Sequence, residues 1–543
     1  MTDPKSWEES LPNVHEKKNQ DASSEPLKDE PVYLTGARLL MVLTGVTLVC
    51  FLMLLDTSII STAIPKITSQ FHSLGDIGWY GSSYQIASAC LQPLTGKIYT
   101  NFSSKWSFLA FFFVFELGSL LCGIASSSKM LIIARSIAGI GSSGLMNGSL
   151  TIIASSVPLH KSPALIGIIM GFSQLGVACG PLLGGAFTQY TTWRWCFYIN
   201  LPIGALVAIL ILFIDIPDQA GKPAVKSPKV ALDIVRRELD LFGFALFAPA
   251  AIQLLLALEY GQGEHAWNSA TVIGLFCGAG GTFIVFLLWE YRQGDRAMIP
   301  LAMVAQRTVW SSCIFLMCVF AMVLCASYYL PIYFQAVRND SPLMSGVHLL
   351  PSILSQLLLA VSSGALITNL GYYFPWAFFC AVFTSIGSGL ISTFTPGTST
   401  GKWVGYQIIL GAGRGAGFQV PMIAVQNTLP ATQISIAMSI LMFIQTLSGA
   451  VFLTFGNLIF SSGLKELLPI DAPNVNPEVI IAAGASNIRE VVSGQDLPGV
   501  LKAYAQSIDH VFYMCAALGV TCGIIAFGMG FKDIRQKKPT SPA

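Results

Sequence analysis

Long apolar runs separated by short polar segments fill the chain from residue 37 to residue 530. Each run is roughly 20 residues or longer, the length that crosses the hydrocarbon core of a bilayer as an α-helix. Polar and turn residues that interrupt the runs set their limits. The predicted spans are 37–62, 78–98, 106–127, 130–154, 163–189, 194–214, 240–260, 270–291, 309–330, 343–368, 372–394, 402–426, 432–460 and 508–530.

These spans predict an all-α polytopic membrane protein with about 14 transmembrane helices. Composition supports the prediction, because 53% of the 543 residues are hydrophobic and only 11% are charged, far less charge than a soluble protein of this length carries. All twelve cysteines fall inside apolar runs, so we interpret them as packing residues rather than a disulfide framework. The first 30 residues are polar, which predicts no cleavable signal peptide.

Charge distribution orients the predicted spans. An even number of spans places both tails on one side of the membrane. With the tails inside, the inner segments collect about twenty Lys and Arg residues and the outer segments about eight, which is the bias of cytosolic loops. Both termini are therefore predicted to be cytosolic. The segment 461–506 becomes an outer loop, and its stretch 476–494 could contain a short amphipathic helix on the membrane surface.

An internal repeat divides the spans into two sets. The segment "GIGSSGLMNGSLTIIASSVP" (139–158) aligns without gaps with "GAGRGAGFQVPMIAVQNTLP" (411–430), so that Gly139 meets Gly411 and Pro158 meets Pro430. Both segments are the fourth span of a six-span set, an arrangement typical of secondary transporters with a substrate site between two halves. The predicted organisation is a cytosolic tail (1–36), a six-helix bundle (37–214), a cytosolic linker with two inserted helices (215–308), a second bundle (309–530, with the outer loop 461–506) and a tail (531–543).

The stretch "GFSQLGVACGPLLGG" (171–185) belongs to a series of glycines about four residues apart. In lipid, such small residues let helix backbones approach closely, and a proline can bend the helix where a neighbour satisfies the freed carbonyl. Two interpretations stay open, a tight seam that resists leaks while two halves rock and a plain packing seam. The predicted seam comprises Gly167, Gly171, Gly176, Gly180, Pro181 and Gly184.

Four ionisable residues stand out inside the predicted spans, where a charge is expensive and each is therefore a functional candidate. Our hypothesis is that Asp56 binds a proton and that Arg135 modulates it, since an Arg favours the ionised carboxylate and desolvation opposes it. The alternatives are a static pair, or an Asp56 that caps a broken helix. Glu116 is the rival proton carrier, and Arg414 could meet anionic substrate groups or pair across the halves. Asp240, Glu259 and Glu290 lie at span ends, where water or headgroups could solvate them.

Polar and aromatic residues within spans could line a cavity for amphipathic molecules, because such pockets are mostly apolar with a few polar anchors. Glutamines also hold helices together, which is the alternative for each of them. His348 is interpreted as a satisfied polar group. The candidate cavity residues are Tyr80, Tyr84, Gln85, Gln174, Gln356, Arg414, Gln419, Gln426 and Gln445.

Several motifs together resemble a known family. They are "LLDTSIISTAIPKI" (54–67), "LIIARSIAGIGSSG" (131–144), "GVACGPLLGG" (176–185) and "WRWCFYINLPIG" (193–204). With the layout of six, two and six spans, they resemble the fourteen-span drug:proton antiporters of the major facilitator superfamily. Within that family the chain looks most like the fungal toxin and multidrug efflux pumps.

The resemblance implies a major facilitator fold and proton-coupled export of toxins, secondary metabolites or drugs across the plasma membrane, or alternatively the vacuolar membrane. It implies that Gly176, Gly180, Pro181, Gly184 and Gly185 form the antiporter motif. It also implies an inner gate at Gly96 and Lys105. Here the chain departs from the superfamily, because Thr100 stands where an acidic residue is usual.

Other classes of function are less well supported. The sequence has no Walker loop, no HExxH, no GxSxG and no His/Cys metal spacing, so we predict no enzyme, no cofactor and no metal. The expected partners are a small-molecule substrate, protons and the lipid bilayer, without nucleic acid, for a protein that acts as a monomer. A siderophore or vacuolar amino-acid transporter of the same fold, and a non-transporting membrane receptor, remain alternatives.

Overall fold

The computed structural model describes residues 33–73, 76–218, 222, 227–262, 265–480, 488–489, 491–492 and 494–535. The predicted cytosolic tail falls outside this range up to residue 32, as do residues 536–543 and the centre of the predicted amphipathic helix at 481–487. The described part is helical throughout, and its one β-type pairing is an isolated bridge between Tyr372 and Asp533. The predicted all-α class is confirmed.

The first half of the chain forms a bundle of helices that is followed by a surface helix and two further long helices. Their bounds are α1 Gly36–Phe71, α2 Ile77–Asn101, α3 Ser104–Gly123, α4 Ser128–Ser156, α5 Ser162–Tyr190, α6 Trp195–Tyr198, α7 Asn200–Leu212, α8 Pro228–Glu238, α9 Leu241–Gln262 and α10 Ala270–Gln293.

The second half repeats the bundle. Its helices are α11 Leu301–Val304, α12 Arg307–Ile332 with a π-helical turn at Tyr333–Val337, α13 Pro342–Val347, α14 Leu350–Leu370, α15 Phe374–Ile391, α16 Thr400–Phe418, α17 Val420–Thr428, α18 Ala431–Asp471 and α19 Leu497–Met529.

Thirteen helical segments of the described chain are long and apolar enough to cross a membrane. The predicted span that is not among these thirteen is 78–98. It corresponds to α2, which has 25 residues and is long enough to cross. Its serines, tyrosines and glutamines make it too polar for the apolar class. Because α2 packs against α4, α9 and α18, it can carry these polar groups between helices rather than toward lipid.

The predicted outer loop 461–506 is shorter than expected. Helix α18 continues to Asp471, and α19 already begins at Leu497. The two extensions pack against each other: Lys502 Nζ lies 2.8 Å from Asp471 Oδ1, and a Cβ at Gly463 would touch the Ser507 side chain at 3.0 Å. Residues 461–471 and 497–506, which we interpreted as parts of a loop, are therefore helical.

The two halves repeat their internal contacts. A Cβ added to Gly139 on α4 would meet the backbone of Tyr84 on α2. A Cβ added to Gly411 on α16 would meet the backbone of Ser352 on α14. The pair predicted from the sequence repeat therefore holds equivalent positions, each pressing one helix of its bundle against the corresponding neighbour.

A second pair of glycines follows the same symmetry. Gly118 on α3 packs against the backbone of Ala138, the residue before Gly139. Gly387 on α15 packs against the backbone of Leu410, the residue before Gly411. Two independent helix crossings in each half thus share one register.

The halves meet near what we call the terminal side, the end of the bundle where α1 begins and α19 ends. A Cβ at Gly96 on α2 would lie 2.7 Å from the Ile436 Cα of α18, and one at Gly364 on α14 would lie 2.6 Å from the Pro163 oxygen of α5. These contacts are also symmetric. Hydrogen bonds cross between the halves here, including Gln92 Nε2 to Thr446 Oγ1 at 3.1 Å and Ser162 Oγ to Gln426 Oε1 at 3.0 Å.

The inserted helix α9 packs beside α2 and α18, and α10 packs against α9. Our expectation that Glu290 is solvated at a span end is wrong, because its side chain is fully buried. Its Oε2 accepts a hydrogen bond from the Ile299 amide at 2.7 Å. Asp240 accepts from Trp289 Nε1 at 2.9 Å and from the Met298 amide at 3.1 Å. These carboxylates hold the chain that leads from α10 into the second half.

Candidate functional site

The candidate site centres on an ion pair between α1 and α4. Arg135 Nη1 donates to Asp56 Oδ2, and both side chains are about 1% exposed. Arg135 Nε also donates to the backbone oxygen of Tyr80 on α2, at 3.0 Å. A charge this deep in a bundle requires a partner. The structure thus brings together the two residues that we predicted to act on a proton.

Helix α1 runs without a break through this site, from Gly36 to Phe71. The hydroxyl of Thr57 donates to the Leu54 carbonyl at 2.8 Å, and that of Ser58 donates to the Leu55 carbonyl at 3.2 Å. The alternative in which Asp56 caps a broken helix is therefore wrong. In its place, both oxygens of Asp56 accept hydrogen bonds from other helices.

The second oxygen of Asp56 is held by a residue that the sequence analysis missed. Asn200 Nδ2 lies 3.2 Å from Asp56 Oδ1 and 3.1 Å from Ser119 Oγ of α3. Both Asn200 and Ser119 are fully buried. An amide inside the apolar span 194–214 was the available signal, but we used the "WRWCFYINLPIG" segment only as a family signature.

Two aromatic rings complete the surroundings of the cation. The guanidinium carbon of Arg135 lies 4.4 Å from the ring centre of Tyr84 and 5.9 Å from that of Phe197. Such faces attract a cation most strongly where water is excluded. The ion pair is thus enclosed by α2 and α6 as well as by the helices that carry it.

Glu116, the predicted rival carrier, lies near this cluster and does not join it. Its carboxylate faces Gly204 on α7, where any added Cβ would collide with it. Neither carboxylate oxygen has a hydrogen-bond partner among the described residues. Gly204 therefore provides the space that this carboxyl group occupies.

Arg414 lies in the other half, away from the ion pair. It is 3% exposed, and its Nη2 donates to Ser352 Oγ. Its Nε has no hydrogen-bond partner, and no carboxylate forms an ion pair with it within the described part of the chain. The predicted pairing across the halves is therefore absent from this part of the structure.

The predicted cavity residues fall into separate places. Tyr84 lies beneath Arg135, whereas Gln85 is exposed. Gln419 Nε2 donates to the Ala360 oxygen at 3.0 Å and to Ser363 Oγ at 2.9 Å, so it ties its segment to α14. The other candidates are the buried Tyr80, Gln356 and Gln426 and the half-buried Gln174 and Gln445.

His348 is satisfied, as the sequence analysis interpreted it. Its Nδ1 lies 2.8 Å from Asp340 Oδ2. Its ring centre lies 4.7 Å from that of Trp403 and 5.0 Å from that of Phe334.

The glycine series on α5 divides between two partners. A Cβ at Gly180 would lie 2.9 Å from the Ile59 amide nitrogen of α1, and one at Gly184 would lie 2.6 Å from the Ile59 oxygen. Gly176 also packs on α1, whereas Gly167 and Gly171 face α14 of the other half. Our prediction of one continuous face is therefore replaced by two seams. Pro181 lies within α5, and Gly185 lies outside both seams, since an added Cβ would meet nothing within 4 Å.

The two predicted inner-gate residues separate as well. Gly96 lies in the symmetric contact between the halves. Lys105 Nζ donates to the Leu212 oxygen at 2.8 Å and lies 3.9 Å from the exposed Asp215, so it closes the end of α7 within its own half. Thr100, in the place of the usual acid, donates to the Gly96 oxygen at 2.9 Å.

Known proteins are similar to this chain in sequence over most of its length. The sequence profile of the Major Facilitator Superfamily matches residues 46–453. The chain is 58% identical to the MFS-type transporter pigP of Monascus ruber over 524 residues, which cover 96% of this chain and 91% of that protein. It is 50% identical to the efflux pump mlcE of Penicillium citrinum over 545 residues, 99% of each chain.

Solved structures share the fold. The human organic anion transporter MFSD10 matches with a TM-score of 0.56 at 13% identity, over 89% of this chain and 100% of that one. The proton:xylose symporter XylE also matches with a TM-score of 0.56, at 16% identity, over 90% of this chain and 95% of that one.

Proposed function

Because this chain belongs to the Major Facilitator Superfamily, we propose that it is an antiporter that exports small hydrophobic or amphipathic molecules in exchange for protons. It is a transporter by family, and proton coupling and the substrate class are the proposal. The relatives named as efflux pumps support the direction of transport.

The buried ion pair between Asp56 and Arg135 carries the proposal. Protonation of Asp56 removes its negative charge and leaves Arg135 unpaired, a change that costs several kcal/mol in a buried site. The Tyr80 carbonyl and the Tyr84 ring lower that cost, because both remain available to the guanidinium. The site can therefore exist in two states, paired and protonated.

Exchange requires that these two states differ in access. The symmetric contacts at Gly96 and Gly364 close the halves near the terminal side, and a rocking motion would separate them there. Asp56 then binds a proton when the opposite side of the bundle, away from the terminal side, is open. It releases the proton when the terminal side opens. Substrate would bind between the halves, among apolar surfaces with a few polar anchors such as Gln356 and Gln445.

Orientation and location are part of the proposal. The excess of Lys and Arg in segments on the terminal side favours a cytosolic terminal side. We propose the plasma membrane as its location, where protons that move inward down their gradient would drive export of the substrate from the cell.

Deletion of the gene with metabolite profiling of cells and medium tests the function. The proposal predicts that one compound or class accumulates in deleted cells, that the wild-type gene restores its export, and that Asp56→Asn does not. A retained iron chelator would indicate a siderophore transporter, and an amino acid lost from vacuoles would indicate a vacuolar carrier. Unchanged profiles in cells and medium would favour a receptor and contradict the proposal.

A further inference from the structure

Asn200 occupies an unusual place at the ion-pair site. It begins α7 directly after the junction at Ile199, where the helical segments α6 and α7 meet. Pro202 follows two residues later and has no N–H to offer the Tyr198 carbonyl one turn earlier, which accounts for the interruption. Ile199 itself keeps helical dihedrals (φ −60°, ψ −28°), so the span continues through a turn that lacks the hydrogen bond an N–H at Pro202 would make.

The amide uses both of its N–H groups. One donates to Asp56 on α1, and the other donates to Ser119 on α3, at 3.2 and 3.1 Å between heavy atoms. Its own oxygen has no hydrogen-bond partner in the described part of the chain, although it is fully buried. Within this cluster the amide therefore acts as a donor, to Asp56 and to Ser119.

Donation to the carboxylate has a definite consequence. A hydrogen bond to the ionised form of an acid favours that form, and its loss favours protonation. The titratable and charged groups that face Asp56 from the packed helices are Tyr84 of α2, Glu116 and Cys122 of α3, Arg135 of α4 and Cys196 of α6. Two groups donate hydrogen bonds to this carboxylate, Arg135 and Asn200. Of these, Asn200 lies at the junction between α6 and α7.

We propose that Asn200 is the positioning residue for proton binding at Asp56. It holds the carboxylate ionised while α7 lies against α1 and α3, and it releases Asp56 for protonation when the junction at Ile199 moves away. This inference rests on the proposed function. It adds that movement of α7 sets the moment at which the proton binds.

Infrared titration of the purified protein in lipid nanodiscs tests this without a transported ligand. The carboxylic acid band of Asp56 is assigned by its loss in Asp56→Asn, and its midpoint is followed across about pH 4 to 9. Asn200→Leu should move that midpoint to higher pH by about one unit or more, the effect of losing one hydrogen bond to a charged group. Asn200→Gln, which can still donate, should restore part of the shift.

Asn147→Leu is the matched control. Asn147 is also a fully buried amide, and its Nδ2 donates to Thr95 Oγ1 at 3.0 Å, away from Asp56. It should lower stability and leave the midpoint in place. If Asn200→Leu does not fold, Asn200→Ala removes the same donor and should shift the midpoint in the same direction.

The outcomes separate the two proposals. If the midpoint of Asn200→Leu equals that of wild type, or that of Asn200→Ala does where only this variant folds, the role of Asn200 is overturned and the antiport proposal stands. A wild-type protein that shows no Asp56 acid band at any pH overturns Asp56 as the carrier itself.

Discussion

Arg135 and Gln407 make the same hydrogen bond in the two halves of the protein. Arg135 Nε donates to the Tyr80 oxygen, and Gln407 Nε2 donates to the His348 oxygen, both at 3.0 Å. The two donors hold equivalent positions on α4 and α16, four residues before Gly139 and Gly411. One half therefore places a cation, paired with Asp56, where the other places a neutral amide.

Replacing Glu116 tests which carboxylate carries the proton. Glu116→Gln should retain proton-coupled export, because the neutral amide fits the same space beside Gly204 and breaks no described hydrogen bond. Export rates of the retained compound from cells, compared at equal protein level with Asp56→Asn, provide the measurement. Loss of export in Glu116→Gln together with normal export in Asp56→Asn would reverse the assignment.

The glycines of α5 give a prediction with its control on the same helix. Gly180→Ala and Gly184→Ala should each destabilise the protein by about 1–3 kcal/mol, since the added methyl collides with α1. Gly185→Ala should be tolerated, because its methyl meets open space. Thermal unfolding in detergent compares the three variants. Equal melting temperatures for all three would show that the seam with α1 is not tightly packed.

The contact between the halves can be opened by a wedge. Gly96→Ala and Gly364→Ala each place a methyl group against the opposite half and should disfavour closure at the terminal side. Cysteines introduced on the terminal side, near the last residues of α2 and the first residues of α18, should then react faster with a thiol reagent. Gly81→Ala on α2, where an added Cβ meets nothing within 4 Å, is the control. Unchanged reactivity in both wedge variants would contradict the role of these glycines in closure.

A carboxylate outside the spans predicts a pH dependence. Burial disfavours ionisation of Asp218, but the Ser104 amide at 2.7 Å and Lys222 Nζ at 2.9 Å outweigh it, so the pKa of Asp218 lies below its ordinary value. A lowered pKa stabilises the fold above the unfolded value of about 3.9, and this contribution is lost as the pH falls through the folded value. Lys222 also binds the Phe102 oxygen, at 2.9 Å.

Asp218→Asn should therefore lower the melting temperature at neutral pH, and the difference from wild type should persist down to about pH 5 and shrink as the pH falls below about 4. The effect is small because the Asp218 side chain is 35% exposed and its ion pair is screened by solvent. Asp215→Asn is the control, since that side chain is fully exposed and 3.9 Å from Lys105. A difference that grows on acidification would contradict the sign of this effect.

Much of the fold could be predicted from the sequence because the bilayer imposes a length and a polarity on every span. Helix ends beyond the membrane, such as Asp471 and Leu497, could not be predicted, since an amphipathic extension has the same polar composition as a loop. The Asp56 and Arg135 pair was predictable because buried charges need partners. Asn200 was not, because an amide carries no charge to account for, and its partners come from helices distant in sequence.

The internal repeat shows which helix contacts a sequence pattern alone can predict. Gly139 and Gly411 were aligned by sequence, and their equivalence extends to the helices they touch. The glycine series of α5 was predicted as one face, but a long helix that passes from one neighbour to another changes partner along its length. Gly171 and Gly176 therefore belong to different seams.

Transport in sealed vesicles tests the central claim most directly. Purified wild-type protein and Asp56→Asn are reconstituted, a pH gradient is imposed, and uptake of the compound retained by the deletion strain is followed before and after an ionophore collapses the gradient. We predict that wild type concentrates the compound only while the gradient lasts and that Asp56→Asn never concentrates it. Accumulation by Asp56→Asn equal to wild type, or wild-type accumulation that survives the ionophore, would contradict proton exchange at Asp56.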